Sequence, residues 1–424
     1  MKHPREILAL TAIGIGVSVG GAWADPGARA EPAVPSQAQR SYEDYVADLS
    51  STDPDVRVRA LRTLAASGYP EALAAMSPLL GDPVDGIQLE TINHVLDFYA
   101  TARPSGTKRV ALVVEVRSRG GSAQRLFDEG PFVILPRRTP PELPAGLSVA
   151  MRDQNPQVRV EATYTLGIVA RPPLDPAVAS VLQGGLRDPL REMRVAAARV
   201  LGALRVTQAG DALIEAVNDP EKDVKAAALR ALGDIREPRA VQALTEQLAF
   251  YEKGPLAEAA LDGLARIAHP SSAPLFASLL SNKDALVRRR AAEGLARCGD
   301  RQAASAVESA LASERQPEVQ LARAYAMEAA GQGGLDLLIA GLTSDATESQ
   351  VMSYLVELGQ PIAGRLTGYL GSREPRIRGR VAMALGLIGG GEALAALEPI
   401  RRDPDTDVAR AAERAIARIR LGQR

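Results

Sequence analysis

Residues 219–250 read DPEKDVKAAALRALGDIREPRAVQALTEQLAF, and the order of those residues decides the fold. Asp219-Pro220 marks a helix start, because Asp is a good N-cap and Pro suits the first helical position. Val224, Ala227, Ala228, Ala231 and Leu232 follow at spacings of three and four, one apolar stripe. Gly233-Asp234 ends that helix, with Ile235 beneath the turn. Pro238 starts a second helix whose inner face is Val241, Leu244 and Leu248. The stretch therefore predicts an antiparallel helix pair.

The phrase recurs. Taking the apolar residue before the basic one as an anchor, clear copies start at Val56, Val158, Met193, Val224, Val287, Ile377 and Val408. Weaker copies start at Ile87, Leu256, Val319 and Gln350. From Val158 the anchors step by 35, 31, 32, 31, 32, 31, 27 and 31 residues. A period near 31 means stacked units, so the sequence predicts an all-α solenoid of about a dozen helix pairs. One pair buries too little apolar surface to stand alone, and stacking on both sides supplies the rest. Small residues such as Ala197, Ala228, Ala291, Gly167, Gly202, Gly233 and Gly386 allow close helix approach.

These residues resemble the HEAT family, in particular the HEAT-like repeats of phycobilin lyases. The resemblance is carried by Asp-Pro at 53–54, 188–189, 219–220 and 403–404, and by Leu-Gly at 166–167, 201–202, 232–233 and 385–386. Apolar-basic pairs such as Val56-Arg57 and Met193-Arg194 complete it, over roughly residues 50–421. It implies a superhelix of antiparallel pairs with second helices lining a concave face. It also implies that Arg57, Arg159, Arg194, Lys225, Arg288 and Arg378 form a structural ladder with the column Asp53, Asp82, Asp153, Asp188, Asp219 and Asp403. An anion-binding track is the alternative for that basic column.

The bulk numbers fit. Hydrophobic residues are 46% of the chain and aromatics only 4%, suiting thin contacts of Ala, Leu and Val. The net charge of −1 offers no global attraction for nucleic acid or an anionic membrane. At the N-terminus, Lys2 and Arg5 precede an apolar stretch from Ile7 to Val19, then Ala22-Trp23-Ala24. That is the pattern of a signal peptide over 1–24, cleaved after Ala24. An uncleaved anchor is the alternative, but the stretch is short for a membrane span, which needs about 20 apolar residues. Residues 25–40 read as a disordered Pro- and Ala-rich spacer, and the solenoid as 41–424. The lone Cys298 falls in the apolar column of Val169, Leu204, Ile235, Ile267, Ile388 and Ile419, hence a core residue.

Breaks in the pattern mark the candidate sites. Ile87 to Val158 spans 71 residues, read as a degenerate repeat with an insertion at about 100–147. Within it, Thr107 to Ser118 fits a second helix or a strand, and 119–147 holds Phe127, Phe132 and several prolines. That segment is either a loop folded over the core or a binding element. Residues 313–371 are off-pattern, with Arg323 and Met327 in columns that are elsewhere small and Leu. Phe250-Tyr251 ends a second helix as an aromatic pair. Phe250, Tyr251, Phe127 and Phe132 are the candidate partner-binding residues. Residues 403–424 read as a terminal half-repeat cap.

No catalytic, cofactor-binding or metal constellation is legible. His94 and His269 are far apart and neither is followed by Glu, unlike the His-Glu pairs of the HEAT-type diiron hydroxylase. Gly389-Gly390-Gly391 lacks the Lys-Ser/Thr of a phosphate loop. The sequence predicts a monomeric, elongated scaffold outside the cytoplasm that binds protein, without cofactor or stable membrane insertion. An enzyme or accessory subunit and a binder of extended polysaccharide are the alternatives.

Overall fold

The computed structural model describes residues 40–100, 123–299 and 301–422, apart from the side chains of Phe132 and Arg301. The expected signal peptide, residues 25–39 of the spacer and the 107–118 segment lie outside the described residues.

Helix α1 (Tyr42–Asp48) leads into α2 (Pro54–Ser67) and α3 (Pro70–Met76), the first pair. The second unit holds α4 (Asp85–Tyr99), α5 (Ala123–Glu129) and α6 (Glu142–Ala150). Regular pairs follow: α7 (Pro156–Val169) with α8 (Pro176–Gly184), α9 (Arg191–Ala203) with α10 (Gly210–Ala216), α11 (Lys222–Asp234) with α12 (Val241–Tyr251), and α13 (Pro255–Ile267) with α14 (Ala273–Leu279). Next come α15 (Ala285–Arg297) with α16 (Arg301–Ala310), α17 (Pro317–Ala329) with α18 (Leu335–Ala340), α19 (Asp345–Leu358) with α20 (Gln360–Thr367), and α21 (Pro375–Ile388) with α22 (Gly391–Leu397). The last helix, α23 (Thr406–Gly422), has no described second helix after it. The described residues thus form an all-α solenoid of eleven first helices, with no strand.

First helices pack on first helices, with α11 close against both α9 and α13, and α21 against α23. Small residues make this possible. A Cβ on Gly233 would lie 2.7 Å from the Gly263 Cα, and one on Gly386 would lie 2.6 Å from the Ala415 Cα. Flanked on both sides and covered behind by second helices, a first helix is buried over most of its circumference. In α13 even Asp262 is buried.

The helix start expected at Asp219-Pro220 comes later: α11 begins at Lys222 with Glu221 at the cap. Asp219 instead accepts the Glu221 N–H at 2.9 Å and receives the Arg194 fork at 2.7 and 3.1 Å. The same double duty recurs down the ladder. Asp82 takes Arg57 at 2.7 and 2.9 Å, Asp188 takes Arg159 at 2.9 and 3.0 Å, Glu314 takes Arg288 at 2.7 Å, and Asp403 takes Arg378 at 2.8 and 2.7 Å. Each of these arginines also donates Nη1 to two carbonyls of the turn entering its own helix, as Arg194 does to Asp188 and Pro189.

Two assigned ladder members differ. Asp53 is the N-cap of α2, accepting the Asp55 N–H, and makes no rung. Lys225 has no carboxylate partner among the described residues, because the position 25 residues on, which supplies the acid for Arg194, is Phe250.

The gap between Ile87 and Val158 holds one unit. Helix α4 packs directly on α7, and Gln88 continues the ladder by donating to Asp153 at 2.9 Å. The extra residues sit between the first and second helices of that unit, with α6 as its second helix. Part of the insertion, near 134, bridges Ala100 and returns along α4, where Leu135 N donates to Tyr99 O at 2.7 Å. The anchor of the α19 unit is Thr347, 5% exposed, and Gln350 instead reaches back to the Glu318 carbonyl.

Candidate functional site

The solenoid curves tightly, with the first helices inside. Arg297 on α15 donates to both oxygens of Glu357 on α19, at 2.7 and 2.9 Å, across the intervening α17. Tyr354 on α19 donates to Glu293 on α15. Arg236, just after α11, lies 3.8 Å from the same Glu357. Helices separated by a third touch only over its inner surface, so the face carrying these groups is concave. First helices supply most of it, and of the second helices α20 adds Pro361, Ile362 and Arg365 to its cleft, whereas the family resemblance implied a face lined by second helices. The physical reason is composition: the Ala and Gly of the first helices let them crowd, and the closer-packed layer is the inner one.

On this face Arg297 arches over the Tyr325 ring, 5.7 Å from its centroid, and Tyr325 stacks on Tyr354 with centroids 4.4 Å apart. Arg290 bonds Glu293 at 2.7 Å and lies 3.1 Å from Asp262. Arg266 joins Asp262 at 3.3 Å and also pairs with Asp234. Arg365 on α20 pairs with Glu328, whose other oxygen accepts the Leu335 N–H at 3.1 Å. The result is a charged track from α11 to α20.

Burial would raise the Glu357 carboxyl, but the Arg297 fork outweighs it and holds it low. Burial likewise opposes ionisation of Asp262, yet Arg290, Arg266 and Arg230 keep it below the usual carboxylate range. Burial pushes the Tyr325 hydroxyl up.

The track opens into a cleft of about 510 Å³. Its polar wall is Arg236, Arg297, Tyr325, Glu328, Glu357 and Arg365, and its apolar wall includes Ile267, Leu358, Pro361 and Ile362. Most of these residues come from the off-pattern 313–371 stretch, where a specific site was expected.

The four aromatic candidates are not brought together there. Phe250 is 77% exposed at the end of the second helix α12. Tyr251 is half-buried against the core and meets Phe250 edge-on at 4.9 Å. Phe127 packs inward on Tyr164, centroids 5.4 Å apart, over Gly167. Gly167 leaves the space that this ring fills. The Phe132 side chain lies outside the described residues. Cys298 is half-buried, and burial pushes its thiol up, away from the reactive thiolate.

A readable signal for the site was missed. Ten residues after the anchor stand Ala66, Ile168, Ala203, Ala329 and Leu387 in some units, but Asp97, Asp234, Arg266, Arg297, Glu357 and Arg418 in others. Of these charged members, Asp234, Arg266, Arg297 and Glu357 lie on the inner track.

The family profile described as HEAT repeats matches residues 178–250, 252–328 and 335–417, more than half of the chain. The chain belongs to the HEAT repeat family. No curated protein matches it. Among solved structures this HEAT protein is similar to an engineered protein at 19% identity, covering 90% of this chain and 99% of that one, with a TM-score of 0.33. Human deoxyhypusine hydroxylase in complex with glycerol matches at 19% identity over 65% of this chain and 96% of that one, TM-score 0.28. The CpcE–CpcF complex of phycocyanin lyase from Nostoc sp. PCC7120 matches at 18% over 78% and 100%, TM-score 0.32. Among the described residues, no group of three or more His, Cys, Asp or Glu is placed to hold a metal ion. No described helix is long and apolar enough to cross a membrane.

Proposed function

We propose that this HEAT protein is a protein-binding scaffold of an extracytoplasmic compartment, and that its partner docks in the concave cleft between α11 and α20. The observation that carries this reading is the cleft itself. It joins an apolar floor at Leu358, Pro361 and Ile362 to the exposed guanidinium groups of Arg236 and Arg365. Apolar area flanked by accessible charge suits a partner's side chains and fixes their register. Binding is favoured over catalysis because the ionisable groups are committed to each other. Glu357 is held low, Arg297 is raised by its fork with Glu357 against the cost of burial, and Tyr325 is raised by burial, so none of the three moves towards neutral pH.

The compartment rests on the signal-peptide pattern of residues 1–24. Capture from an envelope extract with the native protein and with Arg236→Ala/Arg365→Ala tests the docking site. A partner held by the native chain and lost by the variant supports the cleft, and equal capture by both refutes it. Terminal sequencing of the protein from cell fractions tests the address, with Asp25 expected first. A cytoplasmic chain retaining residues 1–24 defeats that part.

A further inference from the structure

The solenoid closes on itself. Arg418 on α23 donates Nη2 to the carbonyls of Pro131 and Ile134, at 2.9 and 3.1 Å, across 287 and 284 residues of sequence. The last first helix therefore meets the insertion of the second unit, leaving a seam between α23 and the turn that follows α7. Three arginines gather there. Arg171 stands in that turn and donates Nη1 to the Ala170 and Ile168 carbonyls at 2.8 and 3.0 Å. Arg414 lies one turn of α23 before Arg418.

Elsewhere the same helix position is answered by a carboxylate: Arg297, ten residues after its anchor as Arg418 is after Val408, is forked by Glu357. At the seam no such answer is present among the described residues. None of Arg171, Arg414 and Arg418 makes an ion pair among the described residues, whereas Arg266, Arg290, Arg297 and Arg365 of the inner track each pair with a carboxylate. Burial and the nearby Arg171 and Arg414 all disfavour the Arg418 charge, and burial disfavours that of Arg171.

We propose that Arg171, Arg414 and Arg418 form an oxyanion-binding site at this seam, taking a phosphate or sulfate group that bridges α23 to the turn after α7. The carbonyl bonds use only one nitrogen of each of Arg171 and Arg418. A guanidinium has five N–H donors in a planar fork, so the remaining edges are available to an anion. The carbonyl contacts also fix the two side chains in advance, which lowers the cost of ordering them on binding. An anion held between them relieves the repulsion of the three cations and ties the two ends of the ring together. This site is separate from the α11–α20 cleft and does not depend on what docks there.

Calorimetric titration of the full chain with inorganic phosphate, at constant ionic strength in chloride, tests the site. Saturable binding and slower hydrogen exchange of α23 are expected. Each of Arg171→Gln and Arg414→Gln should weaken binding about tenfold or more, since each removes charge-assisted bonds to the anion. Arg410→Gln, on the exposed side of the same helix and paired with Asp407, is the control that should leave binding unchanged. A parallel titration with glycerol 3-phosphate separates the sources: preference for the inorganic ion indicates a free anion, and preference for the ester indicates a phosphorylated headgroup. Absence of saturable binding of either, or binding that survives both seam variants, overturns the proposal.

Discussion

Replacing Arg297 by Met should loosen the inner face more than any other single change on it. The Arg297 side chain is 11% exposed and its partner Glu357 is 24% exposed, so the pair is largely withdrawn from water. Met keeps the apolar stem over Tyr325 but removes both bonds to Glu357 and the charge 3.8 Å from Glu293, itself 2% exposed. Two carboxylates then lose their shared cation. Breaking a buried pair from one side costs about 3–5 kcal/mol, and the lower end applies here because Arg236 remains near Glu357. The companion variant Arg297→Met/Glu357→Leu removes both desolvation costs together and should recover most of that loss. Solenoids open unit by unit, so a single melting temperature is the wrong measure. Hydrogen exchange of α15, α17 and α19 reads the local free energy directly. A single variant that shifts those helices by less than about 1 kcal/mol, or a double variant whose cost is the sum of the two singles, refutes the network as described.

Three further outcomes follow from the packing. Arg194→Ala removes a complete rung and should cost about 2–3 kcal/mol by exchange at α9 and α11, whereas Lys225→Ala, which lacks a partner, should stay within about 0.5 kcal/mol. Gly263→Ala places a Cβ 2.5 Å from the Leu229 carbonyl oxygen and should destabilise α13 by about 1–3 kcal/mol, while Gly86→Ala, in open space on α4, should stabilise by about 0.5–1 kcal/mol on urea titration. The Arg288 Nε bond, helped by the Gln316 and Arg315 N–H groups, holds Glu314 down at about 2, against an ordinary value of 4.5. A depressed carboxyl stabilises the fold fully above 4.5 and loses that contribution as pH falls towards 2, so the stability gap between the native chain and Glu314→Gln should shrink across that acid window.

What was legible in the sequence lies one period apart. The 31-residue step shows which helices are neighbours, and neighbours are all that a repeat column can report. Hence five of the six ladder bases find their acids, and Cys298 falls on the core side of its column. Lys225 fails because its column identifies the donor without testing the acceptor, and the acceptor position is Phe250. The insertion at about 100–147 belongs to one long unit rather than to a separate degenerate repeat, a distinction that length alone cannot make. Gln88 bonded to Asp153 makes it. Curvature was illegible for a deeper reason: it accumulates from small rotations at each interface, and no single column encodes it. The cleft needs that curvature, since Arg236, Arg297 and Glu357 come from units two to four steps apart.

The ladder and the inner track divide the work of cross-linking. At the turns, rungs are missing where α11 offers Lys225, where α13 offers Ala257 in the basic position, and where α17 offers Gln320, which reaches only the Glu314 carbonyl. Over that same span the inner face carries Arg266 with Asp234 and Arg290 with Asp262 between adjacent units, and Arg297 with Glu357 across α17. The two kinds of tie act differently. A rung joins adjacent units at the entry to their first helices and leaves the angle between them to packing. A tie that skips a helix shortens the inner path and draws the units on either side inward. The tie from α15 to α19 therefore tightens the bend there, and a bend of that kind brings α23 round to the insertion of the second unit, where Arg418 meets the Pro131 and Ile134 carbonyls.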